Sequence, residues 1–497
     1  MLRPSPLVRD LLVIAGLLAA WQAADLGRRA FIRRFFIDGA LAGSDPDWTT
    51  PADAAPLAAT RRVRVVLLDG LSRAHADRLP RLADICSKGQ VLALDVGFPT
   101  VSLPVQHALW TGLTQQQSGV QYHIGKLATP PPHALPAGVD SVAVAESHPE
   151  IVHSFGFTAV APASADKPDA AWVDAFPDAA LAAVAGEARL AFVHVLRIDE
   201  AGHAAGGASP EYAAAAAWAD DLLARLWTAA PADPATRWFI LADHGHRPAG
   251  GHGGAEPDIR VVRACVVGGL PPAPERAIHL VDLTRAIADS LGAPLDPAAR
   301  GRPWSAALAD PAPDATLPHP RPLRVLVAVL LLTAGLFAAL RLADVRADRE
   351  PRGLAAALGL AWPLLGWFGL GLLHGWPSLS NPVVYPPQGR DMLLAAAPAA
   401  LVLAGLAALA VRRGWSLPRI AGLALTPWLA CTLAVLVLVG LHASLAGGPP
   451  PLAPHATAAA SVLLAQGRLA CLVLAGSFAL HLLVRATIRR PPVASGT

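Results

Sequence analysis

RWFILADHGHRPAGGHGG, residues 237–254, opens as an unbroken apolar run and closes as a loop of glycines and histidines. A short continuous run of this kind reads as a strand buried on both faces, as strands of parallel sheets are. Asp243 stands where the run ends. Three other stretches share the pattern: VRVVLLD (63–69), VLALDVGF (91–98) and LAFVHVLRID (190–199). Helical segments lie between them, such as 209–227, which begins with Ser209 as an N-cap and carries Glu211 in its first turn. The alternation predicts an α/β fold, a mostly parallel sheet sandwiched by helices. Three of the four strands end in aspartate: Asp69, Asp199 and Asp243. Ligands of open α/β sheets bind at the carboxyl ends of strands, so these carboxylates are predicted to share one crevice.

The residues around those aspartates define the expected chemistry. Asp199 is followed by EAGH, which places His203 four residues on; His244 follows Asp243 directly, and His252 lies between glycines. Carboxylates and neutral imidazoles form the mixed oxygen and nitrogen set that zinc accepts, and glycines let the backbone fold closely round an ion. Asp69, Asp199, His203, Asp243, His244 and His252 are therefore read as metal ligands. His246 is read as a solvated loop residue. A nucleophile is expected nearby, in FPTVSLPVQHALWTG (98–112), where Ser102 precedes Leu103 and Pro104. Pro suits a first helical turn, which puts Ser102 at a helix N-terminus that favours anions. The bland alternative is that Ser102 merely caps the helix. Thr100 is the other hydroxyl in reach.

Composition points to two environments in one chain. Of 497 residues, 54% are hydrophobic and 15% charged, between the values of a soluble enzyme and of a membrane bundle. A net charge of +3 without a basic stripe excludes nucleic acid as an expected partner. The apolar run 11–24 fits a cleaved signal peptide or an uncleaved anchor; Arg28, Arg29, Arg33 and Arg34 among Phe31, Phe35 and Phe36 favour the anchor. Five later runs, near 323–342, 354–373, 392–411, 420–442 and 458–484, are long enough to span a bilayer. Arginines cluster in alternate loops, at Arg341 to Arg352, at Arg412 to Arg419 and after Arg485, so those loops are read as cytoplasmic. Arg468 falls in the last run and is placed at its outer interface. The expected order is an anchor (1–27), a linker (28–60), a catalytic domain (61–310), a second linker (311–321), a five-helix transmembrane bundle (322–490) and a cytoplasmic tail (491–497). The location implied is a bacterial inner membrane, multi-pass, with the domain facing the periplasm or exterior. Cys86, Cys265, Cys431 and Cys471 lack CxxC spacing, which argues against a cysteine zinc site, and a Cys86 to Cys265 bridge stays open.

Four ordered motifs, LLDG (67–70), PTVSLPVQHALWTG (99–112), DEAGH (199–203) and DHG with GGHGG (243–254), resemble the alkaline phosphatase superfamily. The likeness is strongest to its type I phosphodiesterase/nucleotide pyrophosphatase branch, and the architecture is similar to GPI ethanolamine phosphate transferases. The resemblance implies two divalent ions, zinc by expectation, with Asp69, Ser102, Asp243 and His244 at one and Asp199, His203 and His252 at the other. Ser102 would be the nucleophile of a phospho-serine pathway. Sulfatases carry Arg where this chain has Gln106, so sulfate ester cleavage is not expected. The function implied is a membrane-anchored phosphodiesterase or phosphotransferase acting on lipid head groups or lipid-linked glycans. The alternatives are an anchored nucleotide pyrophosphatase/phosphodiesterase on soluble substrates, a transporter or flippase with an accessory domain, and a catalytically dead binding module.

Overall fold

The computed structural model describes residues 5–32, 54–120, 125–248, 250–254, 256–310, 386–426 and 453–488, with 354, 357–359, 428, 429 and 432 besides. The chain separates into two compact units, one of residues 36–318 with 379–381, the other of residues 1–35, 319–378 and 382–497. The first unit holds the strands β1 (Arg62–Leu68), β2 (Gln90–Asp95), β3 (Ser141–Ala145), β4 (Ala159–Ala161), β5 (Leu190–Val195), β6 (Thr236–Leu241), β7 (Val261–Val267) and β8 (Ala273–His279). Among the described residues they form one eight-stranded sheet in the order β4-β3-β5-β1-β6-β7-β2-β8.

The sheet is mostly parallel, as the apolar runs imply, with one exception: β7 runs antiparallel to both β6 and β2. At its centre β5, β1 and β6 are parallel and level, with Leu67 opposite both His194 and Leu241. Every residue of β5 and β6 is buried, which requires cover on both faces. The helix Ser102–Thr111 packs against Leu280–Leu291, and Ala170–Ala185 against Pro210–Ala229. Trp110 reaches the sheet edge-on, its ring centroid 5.0 Å from that of Phe192. Arg64, within β1, is fully buried and donates to the carbonyls of Val184, Gly186 and Ala188. A strand arginine thus closes the C-terminal end of the helix Ala170–Ala185.

The run LAFVHVLRID is not one strand. It stops at Val195, and Asp199 lies in the first turn of the helix Arg197–Ala205. Glu146 decides this locally, because its Oε2 accepts from the backbone N–H groups of Leu196 and Arg197, at 2.9 and 3.0 Å, where the helix begins. Carboxylates in a first turn also face the positive end of the helix dipole. Cys86 and Cys265 form a disulfide, their Cα atoms 5.5 Å apart, tying the helix Pro80–Cys86 to β7.

In the second unit, two helices among the described residues match the length and apolarity of a bilayer crossing, Pro6–Gly27 and Gln466–Thr487. Ala397–Arg412 and Leu417–Thr426 are apolar but shorter. The expected runs 323–342 and most of 354–373, with much of 420–442, lie outside the described residues, so the five-helix bundle is not established. The helices Pro6–Ile32 and Ala453–Ile488 pack together, with Leu17, Ala470, Leu474 and Phe478 in one apolar cluster. Arg468 donates to Asp25 at 2.7 Å and lies 5.0 Å from the ring centroid of Trp21, so it is held by the N-terminal helix.

Candidate metal centre

Asp69 follows the last residue of β1, and Asp243 stands just beyond β6. Because these strands are level, both side chains come to the same end of the sheet. Gly70 permits the close approach of the third carboxylate. Its φ is +74°, and a Cβ there would lie 2.8 Å from the Cα of Asp199. The Gly70 N–H donates to Asp243 Oδ1 at 3.1 Å, which links the first motif to the last.

Two groups of donors gather at this end. The ligand atoms of Asp199, His203, His246 and His252 lie within 4.8 Å of one another, and so do those of Asp69, Asp199 and His244. Asp199 belongs to both. Asp243 is in neither group, although its Oδ2 is 3.5 Å from His244 Nε2 and is buried without a hydrogen-bond donor. His203 Nε2 is 3.3 Å from Asp199 Oδ2 and 2.9 Å from His252 Nε2. The rings of His244 and His252 stack at 3.7 Å. Four of the six predicted ligands are wholly buried or nearly so, Asp69, Asp243 and His244 at 0% exposure and His252 at 3%.

Ser102 is the first residue of its helix, Val101 being the N-cap, and no side-chain cap bond is formed. The hydroxyl instead faces the cluster, 3.3 Å from His244 Nε2 and 3.5 Å from Asp69 Oδ1. Capping therefore does not account for it. Thr100 is otherwise engaged: its Oγ1 donates to the Gly254 carbonyl at 2.8 Å and accepts from the Gly253 N–H at 2.9 Å. The Thr100 carbonyl pairs with His252 Nδ1 at 2.8 Å. Thr100 thus clamps the glycine loop, and Ser102 is the hydroxyl turned to the carboxylates.

Electrostatics separate the two groups. Burial, reinforced by Asp243 and Asp199, pushes the Asp69 carboxyl well above the ordinary range. Burial also raises Asp243, outweighing His244 and the Gly70 bond. Asp199 feels the same burial, but His203, His246 and His252 overcome it and hold its carboxyl well below that range. Burial lowers His246 to about 4, and takes His252 well down with help from His244. Burial lowers His203, but Asp199 outweighs it and the net shift is upward; His246 and His252 are the imidazoles held in the neutral form, the state in which an imidazole can ligate a cation. The orphaned Asp243 oxygen and this donor chemistry fit a divalent ion.

Sequence reasoning missed two residues. His246 is not solvated: it is 4% exposed, and its Nε2 lies 2.7 Å from Asp199 Oδ1. Its ring lies flat over Gly202, where a Cβ would be 2.6 Å away, so the glycine of DEAGH makes its place. His194 was hidden within an apolar strand; its Nε2 is 2.6 Å from Asp69 Oδ2. The available signal was one imidazole in LAFVHVL, a run otherwise free of polar side chains.

A carboxylate and imidazole cluster able to hold a metal ion thus lies beside a serine hydroxyl at the end of an α/β sheet. Residues 135–255 match the family model described as type I phosphodiesterase / nucleotide pyrophosphatase, so the resemblance drawn from the motifs holds over the stretch from before Asp199 to beyond His252. No curated protein matches the chain. Solved structures similar to it include murine ectonucleotide pyrophosphatase/phosphodiesterase 5 in complex with AMP, at 13% identity over 49% of this chain and 98% of that one, TM-score 0.39. The human protein of that name gives 13%, 49%, 98% and 0.40. A member of the alkaline phosphatase superfamily from Vibrio parahaemolyticus gives 12% identity, 54% and 74% coverage, and a TM-score of 0.34.

Proposed function

We propose that this chain is a metal-dependent phosphodiesterase or phosphotransferase that uses Ser102 as its nucleophile. The observation that carries the reading is the Ser102 hydroxyl itself: uncapped, at a helix N-terminus, and within 3.5 Å of both Asp69 and His244 while Thr100 is tied into the loop. Asp69, Asp243 and His244 would hold one ion and Asp199, His203 and His252 a second, both zinc in our reading. Bound there, the ions would supply the positive charge that eases loss of the serine proton and offsets charge on the phosphate oxygens. Oγ attacks phosphorus as its proton passes to water, and the bond to the leaving oxygen breaks with its electron pair, that oxygen taking a proton from water in turn. The phosphoryl group then rests on Ser102 until water or an alcohol takes it. Thr100 holds the loop that carries His252, and the helix N-terminus faces the incoming anion.

The substrate in this reading is a phosphate ester on a lipid or lipid-linked glycan. The support is the pair of apolar helices long enough to cross a bilayer, since an anchored enzyme and an anchored substrate share one surface. The Cys86 to Cys265 disulfide supports a catalytic unit on the oxidising side of the membrane. The family description favours a second reading, a nucleotide diester as substrate, which turnover of dinucleotides in detergent would select.

The decisive experiment is turnover of bis-p-nitrophenyl phosphate by the full chain in detergent, with and without a chelator. Activity should vanish with chelator and return with Zn²⁺. Ser102→Ala should reduce it by on the order of 10⁴-fold or more. Metal-dependent turnover unchanged in that variant would remove Ser102 from the role.

A further inference from the structure

Two histidines outside the expected ligand set occupy matching positions. His194 Nε2 lies 2.6 Å from Asp69 Oδ2, and His246 Nε2 lies 2.7 Å from Asp199 Oδ1. Both rings are buried, and in both the far nitrogen, Nδ1, has no hydrogen-bond partner. The two sit on different elements, one within β5 and one in the loop after β6, so the pattern is not a consequence of local sequence.

The unpartnered nitrogens assign the tautomer. A buried N–H without an acceptor is the costlier arrangement when the other nitrogen faces a carboxylate that can accept. The proton therefore belongs on Nε2, donated to the aspartate. His252 is the reverse case, because its Nδ1 pairs with the Thr100 carbonyl at 2.8 Å and its Nε2 points to Asp199 and His203. That is the arrangement of an imidazole ready to ligate.

Each donating histidine engages one carboxylate oxygen and leaves the other turned to the cluster. Asp69 Oδ1 faces Ser102 and His244, both at 3.5 Å, and Asp199 Oδ2 faces His203 at 3.3 Å, while Asp199 Oδ1, already met by His246 at 2.7 Å, lies 3.4 Å from His252 Nε2. An arginine in either place would hold the oxygen equally well but would cancel the charge a dication needs. A neutral imidazole orients the carboxylate and leaves its charge in place.

We infer that His194 and His246 are positioning residues, each donating from Nε2 to one metal-facing aspartate so that a single defined oxygen is presented to a cation. The inference rests on the metal-dependent reading above. It also separates His246 from His203 and His252, although all three surround Asp199.

The test is Zn²⁺ affinity and stoichiometry of the full chain in detergent, by competition with a chelating chromophore, for the wild type and for Leu and Gln variants at both positions. Gln can donate an N–H to the aspartate; Leu cannot. His194→Leu and His246→Leu should each weaken binding of one ion by about 10–100-fold while both ions still bind at saturating Zn²⁺. His194→Gln and His246→Gln should stay within a few-fold of wild type. Wild-type affinity in both Leu variants, or loss of an ion from His246→Gln, would overturn the proposal, the latter because it marks His246 as a ligand. Should a Leu variant not fold, the Gln variant decides, since retained affinity requires only the donor. A wild-type chain that takes up no Zn²⁺ removes the metal-dependent reading and this inference with it.

Discussion

Asp25, on the N-terminal helix, has Arg468 at 2.7 Å and Arg29 at 3.0 Å, whereas the ion-pair contacts of Asp69, Asp199 and Asp243 are all with histidines. The four aspartates are similarly buried. Elsewhere in the strand-bearing unit the arginine solution is the usual one: Asp282 pairs with Arg302, Asp95 with Arg260, and Glu146 with Arg197. Asp220, also buried, is met by the backbone N–H groups of Arg81 and Leu82; among the described residues the strand-end site is where three buried aspartates gather without an arginine or lysine. Burying carboxylates costs several kcal/mol apiece unless something compensates. A cluster that withholds arginine and gathers imidazoles is compensated best by an ion from outside.

The contrast can be broken most forcefully at a paired site. Asp282→Ala would remove the carboxylate to which the Arg302 guanidinium, 1% exposed, donates twice, at 2.7 and 3.2 Å. The expected loss is about 3–5 kcal/mol, read from urea unfolding of the full chain in detergent. His107 gives a smaller effect with a defined pH window. Burial lowers its pKa to about 4, below the 6.5 of the unfolded chain, so the unfolded state binds the extra proton between those values. Its contribution is fully present above pH 6.5 and declines as pH falls towards 4, by up to about 3 kcal/mol. His107→Gln should flatten that part of the stability profile. An unaltered profile would assign the acid sensitivity to other groups.

How far the site could be read from sequence follows from the same distinction. Asp69 and Asp243 announce themselves because strands end on them, and His244 and His252 because they interrupt a glycine loop. Asp199 was legible as chemistry but not as structure, since the strand-to-helix change at Arg197 depends on Glu146, some fifty residues away in the chain. His194 and His246 were out of reach for a related reason. What makes them part of the site is a partner on another element, Asp69 for one and Asp199 for the other, and no spacing rule connects those positions. The antiparallel course of β7 is likewise a long-range matter: its apolar run is indistinguishable from that of a parallel strand.

Asp69→Asn should sharpen the comparison in the opposite direction from Asp282→Ala. Removing one of the two carboxyls that burial holds above the ordinary range should stabilise the metal-free chain by about 1 kcal/mol, a rise of about 2–4 °C in Tm, while reducing Zn²⁺ binding and turnover. The sign is what matters. A metal-free Asp69→Asn protein that melts below the wild type would mean that the cluster is satisfied by its histidines alone.

The smallest effect is expected at Asp25 and Arg468, where the pair is already complete. Asp25→Arg places like charges together on the packed helices Pro6–Ile32 and Ala453–Ile488, and Arg468→Asp does the same with the opposite sign. Each should cost about 1 kcal/mol, on the scale of polar contacts between packed apolar helices, seen as earlier thermal unfolding in detergent. The double variant, with the charges exchanged, should recover most of that loss, because Asp25 and Arg468 depend on one another and not on an ion. Addition of Zn²⁺ or chelator should leave the size of the recovery unchanged. The same exchange attempted between Asp69 and any neighbour has no cationic side chain to exchange with. If the double variant is no better than the sum of its parts, the 2.7 Å contact contributes nothing to holding the two helices together, and their apolar packing around Leu17, Leu474 and Phe478 suffices.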